Sequence, residues 1–436
     1  MLQYVVRLFA ATVSRAAGAA AAVALLAGAA HPAAAADAVT EWSLLADGVA
    51  NGSANWHTLA IMHQAMHDAR NAAEPVYIRW FPPTLDEPAG AGADPDAAMA
   101  AAARRVLATE HPAELASIEQ TYQTALTRTP EGPARAAGEA LGEAIGSAAL
   151  ARRHDDGFRH VRRFPEDMGP GRWRRTPPEF RTSYTTDSWP FLFAGEAEVD
   201  PQPPPAAGSL RFQSAAAEVQ RLGSLDSTDR NQAQSDAAMY WAYQSSQRGY
   251  LHLAAALLDR HPRPGGAAAH ARIMSQLALA LADSAVLIWK EKERFGFWRP
   301  VTVIREGAPG VIQDRDWLPL IETPAHPEYP SGHASDCFTG SDVLQGAFPD
   351  LPGPVVYIAQ VGRPPEGPDA NSMGQHSQYA DSGLPARRAF PGLAEMARDC
   401  SDSRIWAGAH FRTANEKSER VAARISARAL AAVPAR

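Results

Sequence analysis

Apolar residues recur at three- and four-residue spacing through most of this chain, the period of a helix with one buried face. The segment from Glu41 to Arg79 has this pattern, as do Ala97 to Leu126 and Ala136 to Ala151. Asp94-Pro95-Asp96 and Thr129-Pro130-Glu131-Gly132 interrupt it as breaks followed by helix starts. The same spacing predicts helices at 211–222, 227–243, 250–260 and 267–294, with a last one from Arg412 to Ala432. Gly169 to Pro205, rich in Pro, Trp and Arg, reads as an ordered connector, and Pro201-Gln202-Pro203-Pro204-Pro205 is the best internal boundary. The polar stretch 345–390, with many Pro and Gly, reads as a long loop over the site, followed by a helix near 391–398. No internal repeat is visible.

Composition agrees with the pattern. Alanine is abundant while Val, Ile and Thr are scarce, which favours helices over sheets. A length of 436 residues suits two or three domain-sized units or one large domain of paired bundles. We divide the chain into a leader at 1–36, an N-terminal helical region at 37–205 and a C-terminal helical bundle at 206–436. In the leader, Arg7 and Arg15 precede an apolar run from Ala17 to Ala30, and Ala33 to Ala36 offer a small-residue cleavage site, so export is expected. That run is short for a membrane span, and no later stretch reaches about 18 apolar residues without charge. A net charge of −7 argues against a nucleic-acid partner. A homo-oligomer is compatible with all of this.

Three short segments in the C-terminal half concentrate positive charge in this acidic chain. They are Lys292 to Arg299-Pro300, then Pro330-Ser331-Gly332-His333, then Ser403-Arg404 with Gly408 and His410. Guanidinium forks match oxyanion edges, lysine adds a point charge, and an amide after a small residue donates without steric cost. Gly296 and Pro300 predict a helix end between Lys292 and Arg299, letting the arginine fold back towards the lysine. Ser331 is placed to cap the helix that Gly332 and His333 open, with its hydroxyl and the Gly332 amide where anions bind helix N-termini. His333 is a candidate acid-base, Arg404 a second guanidinium, and Gly408 a point where backbone comes close to it. Each segment alone has a plain structural reading, such as a solvated basic helix end around Lys292; if the three converge in the interior, they require an anion.

The order K-x6-R-P, P-S-G-H and S-R-x3-G-x-H resembles the signature shared by vanadium-dependent haloperoxidases and acid phosphatases of the type 2 phosphatidic acid phosphatase superfamily. Trp298 to Thr302 and Thr323 to Tyr329 resemble the bacterial haloperoxidase branch in particular. Weaker likeness extends upstream through Ala65 to Ala69 and the Arg152 to Gly157 segment. The resemblance implies an all-α fold of two packed helical bundles with the site in the C-terminal one. It implies vanadate as cofactor, with His410 as vanadium ligand. Lys292, Arg299, Arg404, Ser331 and the Gly332 amide surround the oxyanion, and His333 is the acid-base.

Two chemistries share this geometry. In a haloperoxidase, Lys292 polarises peroxide and halide becomes hypohalous acid. In an exported phosphatase, which needs no cofactor, His410 attacks a phosphate ester to form a phosphohistidine, and His333 protonates the leaving alcohol. A non-catalytic oxyanion-binding protein ranks third, because it gives the two histidines no task. The resemblance also places His326, seven before His333, near a halide pocket, and its identity favours bromide or iodide. Trp298 is a candidate wall of that pocket. Many members have Asp four residues after the third-motif histidine; here Ala414 stands in that place, leaving open what orients His410. Cys337 and Cys400 flank the second and third motifs, and export favours a disulfide over two buried thiols.

Overall fold

The computed structural model describes residues 38–50, 55–176, 183–184, 187–195, 198–200, 202–242, 246–359 and 386–436. The leader expected at 1–36 lies outside the described residues. The N-terminal helices are α1 (Ala38–Val49), α2 (Asn55–Ala73), α3 (Pro95–Glu110), α4 (Leu115–Leu126) and α5 (Pro133–Arg153). Asp94 caps α3 by accepting from the Asp96 and Ala97 amides at 3.0 and 2.8 Å, and Pro95 occupies the first turn, whose amide has no partner in a helix. The alanine content now has a structural use. Helices α3 and α5 meet along a seam of small residues so close that a Cβ on Gly142 would sit 2.1 Å from the Ala98 carbonyl oxygen.

The C-terminal region holds α6 (Leu210–Leu222), α7 (Gln232–Ala242), α8 (Ser246–Arg260), α9 (Gly266–Phe295), α10 (Pro300–Glu306), α11 (Gly332–Ala347), α12 (Leu393–Trp406) and α13 (Arg412–Ala432). At 30 residues, α9 is long and apolar enough to cross a membrane, but it is the core helix of this protein. It is buried on nearly every side, by α2 on one flank and by α8, α11 and α13 on others. Each fully buried Leu or Ile along it, such as Leu277, Leu281 and Ile288, contributes about 1.5–3 kcal/mol. Contacts between α9 and α2 tie the N-terminal helices to the C-terminal ones, and Ala36–Arg436 form one compact unit.

Strand is confined to two short antiparallel pairs among the described residues: β1 (Arg162–Arg163) with β2 (Ser183–Tyr184), and β3 (Val355–Ile358) with β4 (Arg387–Phe390). The second pair amends the expectation of a long loop over 345–390. Helix α11 runs on to Ala347, and Val355 pairs with Phe390 at the base of the excursion. Both residues are buried, so the ladder is held by an apolar face rather than by its few hydrogen bonds. The middle of that stretch, 360–385, lies outside the described residues. The helix expected near 391–398 runs instead from Leu393 to Trp406 and so carries Ser403 and Arg404.

Candidate active site

The site is organised around the turn His326–Pro330, whose backbone carbonyls are its first function. Lys292, in the last turn of α9, donates from Nζ to the carbonyls of Pro327 and Glu328 at 2.9 and 3.0 Å, and also to that of Pro330. Helix α9 then stops at Gly296, in the left-handed conformation at φ 49°, where the chain reverses as its sequence predicts. Arg299 follows as the residue before α10, with Pro300 in the first turn of that helix. Its guanidinium donates to the carbonyls of His326 at 2.9 Å and Ala409 at 2.7 Å. Both cations are thus locked by neutral carbonyls, which orient them without cancelling their charge.

Ser331 stands at the N-cap of α11, but its side chain makes no capping bond. Its Oγ is buried without a protein partner, although Ser331 itself is fully buried. Beside it, a Cβ built on Gly332 would meet no protein atom within 4 Å, so open space lies against that glycine. A buried, unsatisfied hydroxyl costs about 1–3 kcal/mol, which is reason to expect a ligand there. His333 donates to the backbone of Trp241 while its Nε2 has no protein partner, so its unprotonated nitrogen is the one left for chemistry. Asp336, one turn on, accepts from Ser284 and Ser246 at 2.7 and 3.0 Å and pins this end of α11 to α9 and α8.

Arg404 is buried in the last turn of α12, and its charge acts on Lys292, Arg299, His333 and His410. After it the chain turns through Gly408 at φ 77°, where a Cβ would lie 2.6 Å from the Gly223 oxygen and 2.7 Å from Pro319. A Cβ here would strike the loop after α6, while the turn itself folds the chain back on Arg404, whose carbonyl accepts from the Ala409 and His410 amides at 3.0 and 3.2 Å. That turn delivers His410, whose Nε2 lies 3.1 Å from Arg299 Nη1 and whose Nδ1 lies 3.0 Å from Glu328 Oε1. Glu328 supplies the acceptor that Ala414 cannot. Sequence reasoning passed over it, although a lone acid five residues before His333, in a turn rich in proline, was the available signal.

Lys292, Arg299, Ser331, Gly332, His333, Arg404 and His410 are therefore brought together. Burial, and then Arg299, push Lys292 well below its usual range, and burial brings Arg299 down to about 9, with Glu328 opposing and Arg404 adding to the shift. Burial raises the Glu328 carboxyl to about 7 despite Arg299 and Lys292. His333 and His410 are pushed far down, again by burial first and the guanidinium and ammonium groups second. Three buried cations act on each other here with one carboxylate among them, and an uncompensated buried charge costs several kcal/mol. A compact oxyanion relieves that repulsion and satisfies Ser331 Oγ. The residues present fit vanadate: one histidine lone pair, three cations, a hydroxyl and an open glycine. Among the described residues, no three His, Cys, Asp or Glu side chains converge as a cation site.

The remaining expected residues are placed as follows. His326 lies against Arg299, with 3.0 Å between its Nδ1 and Nη2, and is partly exposed. Trp298 stacks on Phe212 in a separate aromatic cluster with Phe297 and Phe411. The indole that meets His326, edge-on at 4.9 Å between ring centroids, is Trp289, with Phe164 behind it at 5.8 Å. Cys337 and Cys400 form a disulfide that joins α11 to α12.

Comparison with known proteins gives this geometry a context. Residues 272–435 match the family described as the VCPO second helical-bundle domain. Vanadium chloroperoxidase of Curvularia inaequalis is 30% identical over 134 residues, which are 26% of this chain and 22% of that protein, so the match spans under a quarter of the relative. A crystal structure described as the first bacterial vanadium-dependent iodoperoxidase superposes with a TM-score of 0.67 at 19% identity, covering 90% of this chain and 94% of that one. The holo form of a bacterial vanadium-dependent chloroperoxidase gives 0.60 at 16% identity, covering 90% and 91%.

Proposed function

We propose that this chain, which contains a VCPO second helical-bundle domain and has the helical fold of the vanadium haloperoxidases, is a vanadium-dependent haloperoxidase that oxidises bromide or iodide with hydrogen peroxide. The observation that supports this best is the His410 lone pair at Nε2, set among Lys292, Arg299 and Arg404. Vanadate held there supplies the Lewis-acidic centre that activates peroxide. Arg299 and Arg404 hold the anion by charge and hydrogen bonds, Ser331 Oγ and the Gly332 amide donate to it, and Lys292 stabilises charge that develops on the peroxide oxygens. His333 takes a proton from peroxide at Nε2 and returns it to the departing oxygen. Halide gives two electrons to the peroxide O–O bond, which breaks; one oxygen leaves on the halide as hypohalous acid and the other as water, with one proton taken up from solvent.

Preference for bromide or iodide is supported by His326, a polar ring beside Arg299 and Trp289. Export is part of the reading, supported by the leader and by the Cys337–Cys400 bridge. The test runs two assays in parallel: vanadate-loaded protein with peroxide and bromide in a dye-bromination assay, and vanadate-free protein with a phosphate monoester. Bromination that requires vanadate is expected. Phosphate release without bromination, abolished by vanadate, would overturn the proposal in favour of a phosphohistidine phosphatase.

A further inference from the structure

We infer that Glu328 is the positioning residue for His410: it fixes the imidazole as the Nδ1–H tautomer and so presents the Nε2 lone pair to the oxyanion pocket. The argument rests on donors whose direction is certain. The Phe411 amide can only donate, and it donates to Glu328 Oε1 at 2.9 Å. That oxygen is therefore an acceptor whichever state the carboxyl is in, since a proton on the carboxyl would sit on Oε2, which has no protein partner. His410 Nδ1 lies 3.0 Å from the same oxygen, so Nδ1 carries the hydrogen. At the other side of the ring, Arg299 Nη1 can only donate and lies 3.1 Å from Nε2, so Nε2 carries the lone pair. Two independent contacts thus give one answer.

The placement of Glu328 makes this more than a local bond. Its amide donates to the Phe297 carbonyl at 2.9 Å, and its own carbonyl accepts from Lys292 at 3.0 Å. One residue ties the lysine, the segment preceding the arginine and the histidine into a single rigid turn. The chain also has no acid at 414, one helical turn beyond His410, so the task of orienting that ring has moved to a residue 82 positions earlier in sequence. Without that acceptor only the Arg299 contact would remain to hold the tautomer, and a guanidinium that turned away would let the hydrogen move to Nε2, changing a lone pair into a donor aimed at cations.

This inference rests on the reading of His410 as the vanadate ligand, and the experiment separates the two. Orthovanadate is titrated calorimetrically into the parent, His410→Ala, Glu328→Gln and Glu328→Leu proteins. In parallel, spectra of the same vanadate-free proteins labelled with 15N-histidine report the His410 tautomer, assigned by its loss in His410→Ala. Glu328→Leu is expected to lose the Nδ1–H tautomer and bind vanadate about 10- to 100-fold more weakly. Glu328→Gln, which keeps an acceptor oxygen, is expected to keep the tautomer and bind more tightly than the Leu variant. If Glu328 acted only as a charge, both substitutions would tighten vanadate binding by removing the carboxylate, and that result overturns the inference. An unchanged tautomer in Glu328→Leu overturns it as well, even if the parent binds no vanadate and the haloperoxidase reading falls by itself. Should Glu328→Leu fail to fold, Glu328→Asp decides. It keeps the charge but withdraws the oxygen by one methylene, and parent-like affinity with a parent-like tautomer would count against the inference.

Discussion

The Cys337–Cys400 bridge allows a prediction whose size follows from the sequence. Cys337 lies one turn beyond His333 on α11, and Cys400 one turn before Arg404 on α12, so the bond joins the two helices that frame the oxyanion cluster. It closes a loop of 63 residues. The lost freedom of the unfolded chain for a loop of that length corresponds to about 4 kcal/mol at 25 °C. A chain of this size unfolds with an entropy of roughly 0.9 kcal/mol/K, so Cys337→Ala/Cys400→Ala is expected to lower Tm by about 5 °C. Scanning calorimetry of parent and variant at one fixed scan rate measures this, the rate being held because unfolding of large chains is often irreversible. Both sulfurs are fully buried, so alkylation of the native protein under reductant should label neither cysteine, while denatured protein should take two labels. A Tm unchanged within about 1 °C, well below the loop-closure value, would refute the reasoning.

Other outcomes are equally specific. His63 is buried with Nε2 3.2 Å from Ser43 Oγ, and burial holds its pKa down at about 3. The unfolded chain takes up this proton below about pH 6.5 while the folded chain does not, so stability should fall as pH drops from there towards 3, by about 1.4 kcal/mol per unit from this group alone. Denaturant titrations of His63→Gln should show a flatter decline, and a decline parallel to the parent would contradict the assignment. Gly408→Ala must place a Cβ against Gly223 and Pro319 at positive φ, so it should cost about 1–3 kcal/mol or more and weaken vanadate binding; calorimetry showing neither effect would refute the turn's role. His333→Ala should bind vanadate within a few-fold of the parent yet lose bromination, and preserved turnover would remove it as the acid-base.

Much of the site was legible because its pieces are local. Gly296 and Pro300 mark a helix end by backbone conformation alone, and the folding back of Arg299 follows from that. The N-cap position of Ser331 and the turn at Gly408 are likewise written in neighbouring residues, although the hydroxyl bonds nothing in its own helix and the glycine's close neighbour is Gly223. Glu328 was not legible as a partner of His410, because no spacing rule connects residues 82 apart. Trp289 and Trp298 could not be told apart by type, since the choice of which indole meets His326 depends on where α9 ends relative to the 326–330 turn. The true length of α12 was hidden for a different reason. Its apolar stripe of Leu393, Met396, Ala397 and Cys400 gives way to a buried face with Ser401, Ser403 and Arg404, so the half of the helix that carries the site is not marked by apolar spacing. The β3–β4 pair was missed because short strands at the two ends of a Pro- and Gly-rich stretch give little period to read.

The central claim is that an oxyanion is held by the three cations through a direct bond to His410. Isothermal titration of orthovanadate into the parent and His410→Ala proteins tests it most directly. The account predicts one vanadate per chain in the parent and a large loss of affinity in the variant, since the remaining cations attract the anion but supply no ligand atom in place of Nε2. Equal affinity in the two proteins, or no saturable binding in the parent, would contradict it.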